Sequence, residues 1–225
     1  MKKITILIII FSLILSCYND NGKSVFNFEI SDDIINVGID AGFPPFGYLE
    51  NGNIAGFDYD IMREIARLSG MKIDFTYIPF AGLLPALQTK KIDIIIAAMT
   101  VTEERKQFVN FSEPYYASSQ VILVHRDNNS IKNFDNLDGK NVGVIMATTG
   151  DTIMTKNEKV NVRKFYTGAE AVLYLEEKRI DAIVFDKEPC KNFAKYNDEI
   201  KLIESDTIEE NYAIAVRKED TSLLE

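Results

Sequence analysis

Apolar positions along this chain alternate between two rhythms. Residues 34–39 form a β-branched run, and Ile61, Met62, Ile65 and Leu68 recur at helical spacing within 58–68. Asp58 is placed to cap that helix and Gly70 to end it. Residues 72–78 alternate as a strand does, 83–89 suit a short helix, and 92–98 are apolar but for Asp93. Such a run predicts a strand buried on both faces, as in a parallel sheet. After a long strand-like segment, 115–125, the pattern returns: strands are predicted over 141–145, 162–166 and 181–185. Helices are predicted over 151–156, 169–178 and 187–196, then strands over 200–203 and 212–216.

Strands alternating with helices predict an α/β fold whose ligand crevice lies beyond the carboxyl ends of the strands. The pattern occurs twice, in units joined by extended segments. Two α/β lobes placed that way leave a cleft between them, a preferred position for a small-ligand pocket.

The first residues carry an address instead of a fold. Met1-Lys2-Lys3 is a short basic head, and 4–15 is an apolar stretch, too short for a comfortable membrane span but suited to a signal peptide over 1–16. Ser16-Cys17 follows and resembles the lipobox of bacterial lipoproteins, with Leu15 where Ala or Ser is more usual. The resemblance implies a lipid on Cys17 and a tether over 17–32; a plain secretory signal with a chance cysteine is the other reading. Cys190 is the other of the two cysteines, so an exported chain that has lost or lipidated Cys17 has no internal disulfide. Its place in the 187–196 helix suits a buried small apolar residue.

Composition narrows the function. With 25 Lys and Arg against 34 Asp and Glu, the net charge of −9 excludes the basic surface a nucleic-acid binder needs. A single histidine, His125, argues against a His-rich metal site or a His-based triad, and it is expected exposed at a strand end. No metal or cofactor is expected.

The predicted strand ends then supply the chemistry. Asp40, Phe43 and Phe46 follow the first strand around a double proline; Phe80 follows the second; Ala98, Met99, Thr100 and Arg105 follow the third. Met146, Thr148 and Thr149 open a helix in the second unit, and Phe185 and Asp186 end its last parallel strand. Hydroxyls, helix amides and an arginine suit a carboxylate, whereas Asp186 can accept from an ammonium group. A buried zwitterion needs both charges satisfied, so this set matches a free amino acid. Phe43 and Phe80 can sandwich its stem, with Phe46 expected in the core; Asp58 and Asp60 are expected to cap and solvate a helix.

An ordered series of segments carries a family resemblance. Residues 37–46 (VGIDAGFPPF), 56–60 (GFDYD), 84–88 (LPALQ), 91–93 (KID), 100–105 (TVTEER), 111–116 (FSEPYY), 137–140 (LDGK) and 181–186 (DAIVFD) are similar to the polar amino-acid-binding family of bacterial extracellular solute-binding proteins. That resemblance implies a two-lobed, type II periplasmic-binding-protein-like clamshell with two crossing strands. Lobe 1 comprises 33–117 plus 210–225, and lobe 2 comprises 118–209. It implies a monomer that hands a free amino acid to the membrane subunits of an ABC importer, anchored outside the cytoplasm through Cys17. Arg105 and Thr100 then resemble the α-carboxylate contacts, with Thr149 adding from the other lobe. Asp186 resembles the α-ammonium acceptor beside the Ala98 carbonyl, and Asp40, Phe43 and Phe80 resemble side-chain contacts.

The chain departs from the family in places. Met146-Ala147 replaces a common Lys-Gly, Ala98 and Ser119 replace glycines, and the family's further C-terminal helices are not matched before Glu225, which implies either a truncated first lobe or one completed differently. A cyclohexadienyl (prephenate or arogenate) dehydratase-like enzyme on the same scaffold is an alternative, though only Asp40 and Asp186 offer a general acid. An amino-acid sensor module is another. Ile145, Met146 and Phe185 favour a neutral polar ligand first, a cationic one second and an acidic one last.

Overall fold

The computed structural model describes residues 34–224; the signal peptide, Cys17 and the tether lie outside the described residues. In chain order the elements are β1 (Ile35–Ile39), β2 (Gly42–Phe43), β3 (Gly47–Glu50), β4 (Asn53–Ala55), α1 (Phe57–Ser69), β5 (Ile73–Tyr77) and α2 (Phe80–Gln88). There follow β6 (Ile94–Ile95), α3 (Glu103–Lys106), β7 (Val109–Phe111), β8 (Tyr116–His125), β9 (Asn141–Ile145) and α4 (Thr149–Lys156). The rest are β10 (Asn161–Phe165), α5 (Gly168–Glu176), β11 (Ala182–Asp186), α6 (Lys187–Tyr196), β12 (Ile200–Tyr212) and β13 (Ala215–Arg217).

Two five-stranded sheets form the two lobes. In the first, of order β5-β1-β6-β13-β7, β1 runs parallel to β5 and β6, and β13 returns antiparallel. In the second, of order β10-β9-β11-β8-β12, β9 is parallel to both neighbours and β8 is antiparallel to β11 and β12. Strands β8 and β12 are the crossing strands: they pair from Ile200–His125 to Tyr212–Tyr116, with a register irregularity between Ile203 and Ile208. At its far end β12 joins the first lobe, where the Ala213 amide donates to the Met99 carbonyl at 3.0 Å.

Three expectations change in detail. Residues 92–98 are buried except for half-buried Asp93, but only Ile94 and Ile95 join the ladder as a strand. Residues 212–216 are not one strand: Tyr212 closes β12, and β13 begins at Ala215. The small sheet β2-β3-β4 is unanticipated, because its two- to four-residue strands are too short to show a period.

Asp58 is the instructive correction. Gly56 caps α1, at φ 124° and so close to Phe46 that a Cβ would lie 2.2 Å from the carbonyl oxygen. Asp58 instead turns inward and is fully buried, accepting from the Ala98 amide and the Tyr115 hydroxyl, both at 2.8 Å. It thereby pins the turn after β6, where Ala98 adopts φ 47°. Asp60 is exposed, and Gly70 ends the helix in the left-handed region at φ 76°, both as expected. His125 is buried, not exposed, and its Nδ1 accepts from the Asp127 amide at 3.1 Å.

Burial pushes the Asp58 carboxyl up to about 7, against the lowering effect of its two hydrogen bonds. The native state therefore holds this proton more tightly than the unfolded chain does. The associated stability is complete below about pH 4 and is lost as pH rises through 7. In denaturant unfolding across that window, wild-type stability should fall relative to Asp58→Asn by up to about 1.4 kcal/mol per pH unit. Parallel profiles would remove Asp58 as the titrating group.

Candidate functional site

Eight side chains converge between the lobes. Phe43, Phe80, Ala98, Thr100 and Arg105 come from the first lobe and Thr148, Thr149 and Asp186 from the second, around a cavity of about 10 Å³. That is the scale of one water molecule, so the lobes lie closed on each other. On the Arg105 side a groove of about 570 Å³ continues outward past Thr100 and Thr149, rimmed by Glu103, Glu104 and Glu209.

Arg105 is delivered by α3, a four-residue helix whose capping Thr102 hydroxyl accepts from the Arg105 amide at 3.1 Å. Its side chain is buried across the interface. Nη1 donates to the Thr100 carbonyl at 2.7 Å and Nη2 to the Ala147 carbonyl of the opposite lobe at 2.9 Å. The guanidinium lies 5.2 Å from the Phe80 ring centroid. Its side-chain hydrogen bonds thus go to carbonyl dipoles, which offset part of its desolvation. Burial lowers its affinity for its proton, which the charges of Glu210, Asp186 and Glu104 partly restore. Ala147 presents its carbonyl from φ 64°, a left-handed conformation reached without the glycine usual there.

Asp186 ends β11 on the other wall. It occupies the N-cap position of α6, but its side chain makes no capping bond; Oδ1 accepts instead from the Tyr212 hydroxyl at 2.6 Å. Glu210, absent from the expected set, stands beside it on β12. Glu210 is held by the Thr149 hydroxyl and by Gln120 Nε2, the latter at 3.0 Å. Burial first, and the neighbouring Glu210 carboxylate second, hold the Asp186 carboxyl well above the usual range.

Four expected residues stand outside the cavity lining. Met99 is fully buried in the first lobe's core with Leu83, Leu87 and Ile92, because its side chain falls on the opposite face from Ala98 and Thr100. Phe185 is likewise core; it backs the site edge-on to Phe43, with ring centroids 5.2 Å apart. Met146 is half-buried beside the cavity, its amide donating to the Phe165 carbonyl at 2.9 Å. Asp40 lies one layer back, accepting from the amides of Gly42 at 2.8 Å and Phe80 at 3.1 Å, and burial raises its carboxyl. Thr148 does line the cavity, but its hydroxyl is committed to the Ile145 carbonyl and to capping α4. Phe46 is core, as expected, at ring distances of 5.0 and 5.2 Å from Tyr116 and Tyr212.

Two lobes hinged on crossing strands, presenting a guanidinium from one side and carboxyls from the other, define a solute-binding protein of the clamshell class. The chain belongs to the bacterial extracellular solute-binding proteins, family 3, whose model matches residues 35–225. It is 33% identical over 188 residues to a probable histidine-binding protein of Campylobacter jejuni, covering 83% of this chain and 73% of that one. It is 30% identical over 198 residues to ABC transporter arginine-binding protein 1 of Escherichia coli, covering 85% and 81%. Among solved structures it is similar to the arginine-bound form of truncated ArgBP from T. maritima, with TM-score 0.81 and 44% identity over 85% of this chain and 91% of that one. These are binding proteins and lend no support to the dehydratase-like alternative.

The Tyr212 hydroxyl is the one phenol donating to Asp186 among the described residues. Tyr212→Phe keeps the ring and leaves a buried acceptor short of a partner. It should cost about 1–3 kcal/mol in urea unfolding; a neutral substitution would show that the bond contributes nothing.

Proposed function

We propose that this chain captures a free amino acid with a positively charged side chain, arginine first, and hands it to an ABC importer. The observation that carries this reading is the imbalance of buried charge. Asp186 and Glu210 flank the cavity, Asp40 lies behind Phe43 and Phe80, and Arg105 is the one cation lining it. A zwitterion placed with its carboxylate on Arg105 and its ammonium on Asp186 leaves this excess of carboxylate in place. A second positive charge directed between Phe43 and Phe80 toward Asp40 offsets it.

This reverses the order of ligands expected from the sequence. Neutral ligands ranked first because Ile145, Met146 and Phe185 suggested an apolar wall. The side chains of Ile145 and Phe185 pack into the core, and Glu210 adds an acid that the ranking omitted. The names of the histidine- and arginine-binding relatives support the same order.

Capture follows from closure. Arg105 sits on one lobe and Asp186 on the other, so only the closed form lets one molecule meet both, and the ligand shifts the population by that difference in affinity. Under this reading the lobes comprise 33–117 plus 210–225 and 118–209, moving about the crossing strands. Lipid on Cys17 holds the exported protein at the membrane, where the importer receives its cargo.

A thermal-shift panel of the common amino acids tests the proposal. At about 1,000 times its Kd a ligand that binds only the folded state adds about 4 kcal/mol, or about 8–16 °C for a chain of this size. Arginine should head the panel, followed by lysine and histidine; a panel led by neutral or acidic amino acids would overturn the order. Arg105→Ala should weaken arginine roughly 30-fold or more, as removing one partner of a buried charge pair does, with the far-ultraviolet circular dichroism unchanged. Wild-type affinity in that variant would refute the carboxylate assignment.

A further inference from the structure

Asp186 and Glu210 project from the two strands that flank β8. The ladder sets Asp186 opposite Gln120 on one side and Glu210 opposite Ser118 on the other. Both carboxyls therefore belong to one sheet. Each is 3% exposed, and Gln120, which stands opposite Asp186 in the ladder, donates its Nε2 to Glu210. Two carboxyls buried this near each other, with no cation among the described residues paired to either, favour a proton on one of them.

Gln120 adds an independent sign. It is fully buried between the two acids; its Nε2 donates to Thr149 Oγ1 at 3.2 Å and to Glu210 Oε2 at 3.0 Å, while its Oε1 has no partner. The cluster is thus rich in acceptors and short of donors. An ammonium group brings three donors and a positive charge to one point.

We propose that Asp186 and Glu210 form a joint receptor for the α-ammonium, that one shared proton occupies it before the ligand arrives, and that amino-acid capture exchanges that proton for the ammonium ion. The proposal rests on the amino-acid reading above and adds Glu210 and the proton to it. On binding, the carboxyl O–H bond breaks, its electron pair stays on the carboxylate, the proton passes to solvent, and ammonium N–H bonds take its place. The net charge of the receptor and its occupant is unchanged, which avoids burying a bare second carboxylate.

The other groups facing the pair do not supply this proton. Tyr212 on β12 and Cys190 on α6 are both pushed well above their ordinary values by burial and by Asp186, so they stay protonated near neutrality. Glu188 of α6 is turned to the Ser118 hydroxyl, and Thr149 of α4 and Ser118 of β8 carry no charge. Arg105 of α3, with Glu104 beside it, is the facing cation, and its guanidinium donates to the Thr100 and Ala147 carbonyls. Asp40 serves the amides of Gly42 and Phe80. The sole histidine, His125, lies five residues along β8 from Gln120, roughly 17 Å away.

Release of one proton per ligand makes the association constant rise about tenfold per pH unit while the free pair is protonated, and level off above that. Titration calorimetry of the protein with L-arginine near pH 6, in buffers of differing ionisation enthalpy, reads the proton count directly. About one proton released by the wild type, and fewer than about 0.3 by Glu210→Gln together with a flattened affinity profile from about pH 5 to 7, is the expected result. Arginine binding with no net release and a pH-independent constant would overturn the exchange and leave the capture reading standing. Release undiminished in Glu210→Gln would place the proton elsewhere and also overturn it. No heat from arginine, nor from any amino acid tried in its place, would remove the capture reading and the exchange with it. Should the variant not fold, the wild-type proton count and pH slope decide alone.

Discussion

Unpaired charge in a dry interface is the constraint from which this molecule's design follows. Closing the lobes takes the Arg105 guanidinium and the Asp186 and Glu210 carboxyls almost wholly out of water. Each such transfer costs several kcal/mol unless an opposite charge or strong dipoles replace the solvent. Arg105 has carbonyls and an aromatic face, which solvate it without neutralising it. The acids have amide and hydroxyl donors in the same incomplete way. Under the proposed capture reading, a dipolar solute carrying its own charges completes both sides at once, which makes occupancy and closure one equilibrium.

The rest of the fold keeps these groups where that equilibrium needs them. A helix of four residues would have no independent stability; α3 persists because Thr102 caps it and because Arg105 is anchored across the cleft. The turn after β6 is held by Asp58 and Tyr115, which ties the base of α1 to the backbone lining the site. On the far wall the aromatic group of Phe43, Phe46, Tyr116, Phe185 and Tyr212 packs around the crossing strands. A rigid packed seam lets two lobes rotate as bodies while each keeps its internal spacing. Ala98 and Ala147 are both in the left-handed region; at Ala147 the bend aims a carbonyl across the cleft at Arg105, and at Ala98 it turns the amide to Asp58 and Tyr115.

Much of this was legible in the order of residues. The alternation of short apolar runs with helical spacing located most of the strands and helices to within a few residues, because burial on a sheet face or helix stripe imposes a period. Strand ends then pointed to the site, and all eight residues around the cavity were among the twelve nominated from sequence. Four nominees fall outside that lining, two of them for a common reason. Met99 and Phe185 are next to true lining residues, and neighbours on extended backbone point to opposite faces, so proximity in sequence overstates proximity to the cavity. The two-residue β2 and the broken apolar run at 92–98 escaped correct description because pairing, not composition, decides where so short a strand begins.

Glu210, Gln120 and Tyr212 were not legible at all. Glu210 follows Glu209 in a run of acids that reads as solvated surface, and Gln120 lies 90 residues before the carboxylate it bonds. Which of the two glutamates faces inward depends on the register of β12 against β8, and that register shifts between Ile203 and Ile208. Local pattern thus determined the class of fold, the lobed plan and the two oppositely charged walls, since these follow from hydrophobic period and residue type. The balance of charge in the cleft was decided only in three dimensions, because it depends on long-range strand pairing, and a shift of one residue there exchanges a buried acid for an exposed one.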